Sequence, residues 1–334
     1  MAEIVEKPKP LTARDIAKRV FRHENAALAG VLIGLIFGMG AATGGKTLSM
    51  ANMMNTLLVS SIRGIAAIGQ GMVILTAGID VSVGGNALFC SALGAGLMTS
   101  SWQNIIGYPL PLGLGALIML LAGTAWGAFN GTMVSHVGIP ALVQTLGLWQ
   151  ITTGVAYRVC SGRDIHWQPE SLSWWGSGTV LGVPVPVIIF AAVAVVAYFV
   201  LNHTTYGRSI YAVGGNPVSA WFSGINVKRV LFSVYAISGF LSGLAAFLML
   251  GRIMLSSMRS LAGLELDTIA SAVIGGVSLM GGRGTLIGVV LGALIIGVII
   301  NGMSVLNVDP FVMGIVKGSI IILAVVIDYM RRRS

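Results

Sequence analysis

Residues 40–47 read GAATGGKT and match a phosphate-binding loop letter for letter. In such a loop backbone N–H groups cradle phosphate, the lysine (here Lys46) reaches it, and the hydroxyl (here Thr47) holds Mg²⁺. The pattern acts only where a strand feeds the loop and the loop opens a helix. Two other stretches join polar groups to glycine: GIDVSVGG at 78–85, which carries the carboxylate of Asp80, and GGVSLMGGRG at 275–284. HExxH, GxSxG and close Cys/His spacings are absent from the sequence. Cys90 and Cys160 read as two unrelated thiols, so no metal site and no enzyme chemistry are expected.

What these residues can do depends on the elements that hold them. The chain has 334 residues, 55% hydrophobic and only 9% charged, with a mean hydropathy of +0.89. Soluble domains carry about 25% charged residues. A water-facing surface cannot be built from this composition, so an integral, all-α membrane protein is expected. The net charge of +9 does not point to nucleic acid, because it flanks apolar runs: Lys7, Lys9, Arg14, Lys18, Arg19 and Arg22 precede the first, and Arg331, Arg332 and Arg333 follow the last. Residues 1–25 lack the plan of a signal peptide and read as a cytosolic tail, as do the basic residues 331–334.

Apolar runs of membrane length, about 17–25 residues, fall at 26–42, 56–78, 110–135, 138–159, 184–201, 231–252, 285–305 and 311–329. Shorter candidates lie at 83–100 and 267–281. About ten transmembrane helices are therefore expected, two of them short or broken, within a membrane-embedded body at 26–330. An even count puts both termini on one side. Thirteen of the 20 Lys and Arg then lie inside, five outside, and Arg63 and Lys317 within spans, as expected for cytosolic termini. Under this reading GAATGGKT caps the outer end of a helix with no strand before it. It is a chance match, and the chain is not an ATPase.

Shifting the chain by 171 residues aligns Asn130-Gly131 with Asn301-Gly302, Val137 with Val308, and Gly147 with Gly318. Halves of five spans each, 26–159 and 184–330, would be inverted copies, the plan of many transporters. Coincident pairs in glycine-rich helices are the competing explanation. GIDVSVGG and GGVSLMGGRG are counterparts in this scheme, each either a structural turn or a substrate site. A charge at such depth costs ~2.5–3.5 kcal/mol, so Asp80 needs a partner or water. Arg63 either snorkels or pairs with Asp80, and Lys317 is expected to face the bundle interior. Glu265, Asp267 and Asp309 fall at outer helix ends.

The loop 202–230 is the longest predicted cytosolic connection. Gly214-Gly215-Asn216-Pro217 reads as a turn and helix start, with Pro217 suited to the first helical position. A short helix then carries Ala220, Trp221 and Ile225 on neighbouring turns and ends near Gly224. It either docks a partner or lies on its own membrane domain.

The chain resembles the permease subunits of bacterial ABC sugar importers of the ribose and autoinducer-2 type. The carriers are GIDVSVGG at 78–85, GRSIYAVGGNPVSAWFSGINV at 207–227, GLELDTIASAVIGGVSLMGGRGT at 263–285 and NG at 301–302. The resemblance implies a multi-pass protein of the bacterial cytoplasmic membrane, with a coupling helix in 214–226 that docks on a separate ATPase subunit. Asn216, Ala220, Ser223, Gly224 and Ile225 would make that contact, beside Gly215 and Pro217 of the turn. It also implies an extracytoplasmic solute-binding protein, a second permease copy or paralogue, and ATP and Mg²⁺ bound on the partner rather than on this chain.

A small polyol needs a few hydrogen-bonding groups along its way. Candidate pathway residues are Gln70, Thr76, Asp80, Asn86, Gln144, Thr145, Trp149, Thr268 and Ser271, each with hydrogen bonding between helices as the alternative. His136 and His203 read as interfacial. An ion-driven secondary carrier is the rival function; it normally needs buried carboxylates, and Asp80 is the one acid this reading puts at depth.

Overall fold

A computed structural model describes residues 24–331. The tail at 1–23, with its six basic residues, and residues 332–334 lie outside the described residues. Thirteen α-helices occur among the described residues, with one two-residue hairpin. In chain order they are α1 (Glu24–Ala42), α2 (Met50–Leu75), α3 (Val83–Met98), α4 (Leu112–Thr132), α5 (Ala141–Val159), α6 (Ser171–Ser177), α7 (Val185–His203), α8 (Thr205–Gly215), α9 (Pro217–Phe222), α10 (Val227–Ile253), α11 (Leu264–Ile274), α12 (Leu286–Val305) and α13 (Pro310–Arg331). The strands Thr179–Val180 and Val183–Pro184 pair antiparallel after α6.

Each of the ten expected spans contains a helix, and six helices are long and apolar enough to cross a membrane. α3 has 16 residues and α11 has 11. At about 1.5 Å per residue both fall short of a hydrocarbon core of about 30 Å. The second short segment ends sooner than the apolar run suggested, because glycines with positive φ begin at Gly276 (φ 82°). α8 was not anticipated: its apolar residues are sparse, but Thr204 caps it by accepting from the Gly207 N–H at 3.1 Å.

The packing crosses between the first and second parts of the chain. α4 lies against α10 through Gly123, Gly127 and Gly131 on one side and Gly239 and Gly243 on the other, the close backbone approach that small residues permit in a membrane. α2 packs on α10, α12 and α11 and is the most buried of the long helices. The two short helices begin side by side. A Cβ on Gly84, in the first turn of α3, would collide with the carboxylate of Glu265 in the first turn of α11.

The stretch 40–47 is the end of α1 followed by a single 3₁₀ turn, Lys46–Leu48. Thr47 is buried there, its hydroxyl 3.0 Å from that of Thr43.

Candidate transport site

Three helices follow one another at one end of the bundle, and each is started by a side-chain cap. Thr204 starts α8; Asn216 starts α9, its Oδ1 accepting from the N–H groups of Val218 and Ser219 at 2.9 Å each; Asn226 starts α10, accepting from Arg229 at 3.0 Å. Pro217 takes the first position of α9, where its missing N–H costs nothing. α9 closes with Gly224 in the left-handed region (φ 82°). The Gly224 N–H donates to Trp221 O at 2.9 Å and the Ile225 N–H to Ala220 O at 3.0 Å, a Schellman closure. Gly224→Ala is therefore expected to destabilise α9 by ~1–2 kcal/mol, read as lower transport with unchanged membrane insertion.

Of the residues the resemblance assigns to the ATPase contact, one is turned inward on α9. Ala220 is buried against its own chain at 4% exposure, whereas Val218, Trp221 and Phe222 are exposed at 61–77%. Gly215, Asn216, Pro217, Ser223 and Gly224 lie at the surface and Ile225 is half-buried. Trp221 and Phe222 pack edge to face, ring centroids 4.9 Å apart. An open groove of about 660 Å³ runs beside them, walled by Ile225, Lys228 and Ser135. Ser135 belongs to a π-helical turn, Met133–Val137, at the end of α4; such bulges often mark functional places.

Just before α9 the chain is pinned. The Gly282 N–H donates to Leu75 O, the last residue of α2, at 2.9 Å. Gly214, at the end of α8, lies so close to Leu75 O and the Gly282 N–H that no Cβ fits. GGVSLMGGRG is thus a turn locked onto the end of α2 and the root of α9. It follows its short helix, whereas GIDVSVGG precedes its own, so the two motifs are not positional counterparts.

GIDVSVGG forms the N-terminus of α3. Asp80 is 1% exposed. Its Oδ1 accepts from the Ser82 N–H at 3.0 Å and the Ser82 hydroxyl at 2.6 Å, and its Oδ2 from the Ser238 hydroxyl of α10 at 3.0 Å. Asn130 donates to Ser82 Oγ at 2.8 Å, and Gln144 donates to Asn130 Oδ1 at 3.2 Å. Thr145 accepts from the Val81 N–H at 3.1 Å. With its amide oriented to satisfy both partners, Gln70 brackets the Asp80 peptide, donating to its carbonyl at 3.0 Å and accepting from its N–H at 3.3 Å.

Four of the nine pathway candidates, Gln70, Asp80, Gln144 and Thr145, therefore belong to or adjoin one network, while buried Asn86 donates separately to Gly123 O at 3.1 Å. Thr76, Thr268 and Ser271 are buried and donate to carbonyls of their own helices. Trp149 is half-buried on α5.

Sequence reasoning missed the second buried acid. Asp267 is not at a wet helix end: it is 3% exposed, paired with Arg63 at 3.1 Å and Lys317 at 2.9 Å. Arg63 thus pairs with Asp267 rather than Asp80. The sequence reading left Arg63 and Lys317 as the only basic residues inside spans, and two cations at membrane depth require an acid; that shortage was the available signal.

These features define a multi-helix membrane protein with polar groups gathered where short helices begin, and with a helix presented at one end through a pinned turn. The chain belongs to the family described as branched-chain amino acid transport system / permease component, which it matches over residues 52–325. It is 38% identical to the ribose import permease protein RbsC of Haemophilus influenzae over 84% of this chain and 85% of that protein. To the fructose import permease protein FrcC of Rhizobium meliloti it is 34% identical over 94% and 88%, and to the D-allose transport system permease protein AlsC of Escherichia coli 36% over 84% of each. No solved structure matches the chain.

Proposed function

We propose that the chain carries a monosaccharide or similar small polar solute into the cytoplasm as the permease of an ATP-driven importer. The family description names branched-chain amino acids, whereas the relatives above are named for ribose, fructose and allose. The names of those relatives support the sugar reading over a branched-chain amino acid. Ten helices cross the cytoplasmic membrane of a bacterium in two inverted halves with both termini inside. The exchanged packing of α2 on α12 and α4 on α10 supports that plan. ATP and Mg²⁺ are bound by a separate ATPase subunit, a solute-binding protein delivers the solute outside, and a second copy or paralogue completes the pathway.

The observation that carries the reading is the exposed Trp221–Phe222 pair on α9, rooted directly in the Gly214–Leu75–Gly282 contact. Movement of α9 by a partner is thereby passed to the end of α2, the helix that packs on α10, α11 and α12. Gly215, Asn216, Pro217, Ser223, Gly224 and Ile225 frame that contact. An ion-driven carrier fits less well, since one buried acid is saturated by hydrogen bonds and the other is held by two cations.

Reconstitution with the ATPase and binding protein tests this. ATP-dependent uptake of labelled D-ribose, D-fructose or D-allose, and not of L-leucine, is the expected result. Trp221→Ala should weaken ATPase association by ~2 kcal/mol or more, about thirty-fold, as expected for a central aromatic anchor. Unchanged association by that variant would remove α9 as the docking element.

A further inference from the structure

Nothing in the transport site uses GAATGGKT, and its fold shows why it cradles no nucleotide. The loop's own carbonyls take its N–H groups: Gly40 O that of Gly45 at 2.8 Å, Gly45 O that of Leu48 at 3.0 Å, and Thr43 O that of Lys46 at 3.4 Å. Gly44 and Gly45 have positive φ (61° and 84°). They turn the chain so that Thr47 is buried under the end of α1 while Lys46 stays at the surface. Lys46 has no acidic partner among the described residues, so its ammonium is free to meet an anion.

Below this turn a crevice of about 90 Å³ opens between α1, α2 and α12, walled by Ile36, Met39, Met53, Leu57 and Val298. Its three polar lining residues are already engaged. Thr47 pairs with Thr43 at 3.0 Å, Thr56 donates to Asn52 O at 2.7 Å, and the amides of Asn52 and Asn301 exchange bonds of 2.8 and 3.1 Å. A buried water needs two to four polar partners, and a sugar needs more. This space suits hydrocarbon.

The crevice is open at the side. Met53 is 37% exposed, and Ile33 and Phe37 on the outward face of α1 are exposed at 54% and 65%. α1 packs chiefly on α12, which leaves its α2 side to be filled. Ile36 stands six residues before the end of α1, about 9 Å deeper at 1.5 Å per residue. The headgroup region is about 5–7 Å thick on each side of the hydrocarbon core. Lys46 thus stands at headgroup level and the crevice at that of the upper acyl chain.

We propose that this end of α1 holds one phospholipid, an acyl chain in the crevice and its phosphodiester on Lys46. The lysine meets the phosphate as a point charge, while its methylenes lie along apolar surface. Gly44 and Gly45 have nothing within 4 Å of where a Cβ would stand, so the approach to Lys46 is open. The acyl chain fills the gap between α1 and α2 that side chains leave.

The probe is phosphatidylglycerol, added to the full-length chain in detergent micelles and read by native mass spectrometry. A tightest adduct of one lipid per chain is expected. Lys46→Ala and Val298→Phe should each weaken it about ten-fold or more, the first by removing a charge-assisted hydrogen bond and the second by filling the crevice. Lys46→Arg and Arg259→Ala, the latter removing another exposed cation, should keep it. Unchanged affinity in Lys46→Ala or Val298→Phe, or an equal loss in Arg259→Ala, overturns the proposal. Displacement by excess inorganic phosphate also overturns it, since a free anion would then occupy the site. Should Val298→Phe not fold, a phospholipid with a photoreactive acyl chain decides on the unaltered protein. Cross-links to peptides holding Ile36, Met39 or Met53 are expected, and labelling confined to other segments overturns the proposal.

Discussion

Replacing Gly214 by alanine is expected to abolish ATP-driven uptake, whereas the same change one residue later, at Gly215, is expected to lower it far less. The added methyl group is the same in both, so intrinsic helix preference cannot separate them. At Gly214 the new carbon would overlap the carbonyl oxygen of Leu75 and press on the Gly282 N–H, both backbone atoms with no rotamer to move. At Gly215 it meets nothing within 4 Å. Overpacking ordinarily costs about 1–3 kcal/mol, and a clash with fixed backbone belongs at the top of that range. Relief requires α8 to back away from α2, which breaks the Gly282–Leu75 hydrogen bond of 2.9 Å and detaches α9 from the helix it is proposed to move. The measurement is uptake beside ATPase association: Gly214→Ala should still bind the ATPase through Trp221 and Phe222 yet fail to transport. Equal uptake by the two variants would show that the contact transmits nothing.

The helical body could be read from the sequence because its cause is compositional. Runs such as 285–305 are apolar throughout, and only a helix satisfies their backbone in lipid. The start of α9 was equally legible, since Asn216 followed by Pro217 is a cap followed by a residue preformed for the first turn. What was lost depends on which side of a helix faces inward. On a six-residue helix the sequence cannot say that Ala220 turns in while Val218 and Phe222 turn out. The glycines of α4 at 123, 127 and 131 carried the four-residue spacing of a close helix contact, but their partners at 239 and 243 lie over a hundred positions away and become visible only in space. Asp267 was misplaced for a related reason: a carboxylate near the start of an apolar run reads as a wet end, unless one knows that α11 starts within the bundle beside α3.

Asp80 separates structural from chemical roles for buried charge, and its two substitutions should behave differently. Asp80→Ala removes the acceptor for the Ser82 N–H and for the hydroxyls of Ser82 and Ser238. Each stranded donor costs about 1 kcal/mol or more, so a loss of roughly 3 kcal/mol is expected, together with loosening of Asn130 and Gln144, which hang on Ser82. Thermal unfolding in detergent or nanodiscs would report it. Asp80→Asn keeps the shape: the amide oxygen still accepts from Ser82, and the amide nitrogen donates to Ser238 Oγ, a hydroxyl able to accept. It also relieves the burial of a full negative charge. Stability should therefore stay within about 1 kcal/mol of the unaltered chain, and uptake should remain at about half or more. A carboxylate that relays protons cannot survive that exchange, because an amide does not titrate in this range. Stable, well-inserted Asp80→Asn protein without uptake would thus return the ion-driven mechanism to contention, and full transport by it leaves ATP, acting through α9, as the energy source.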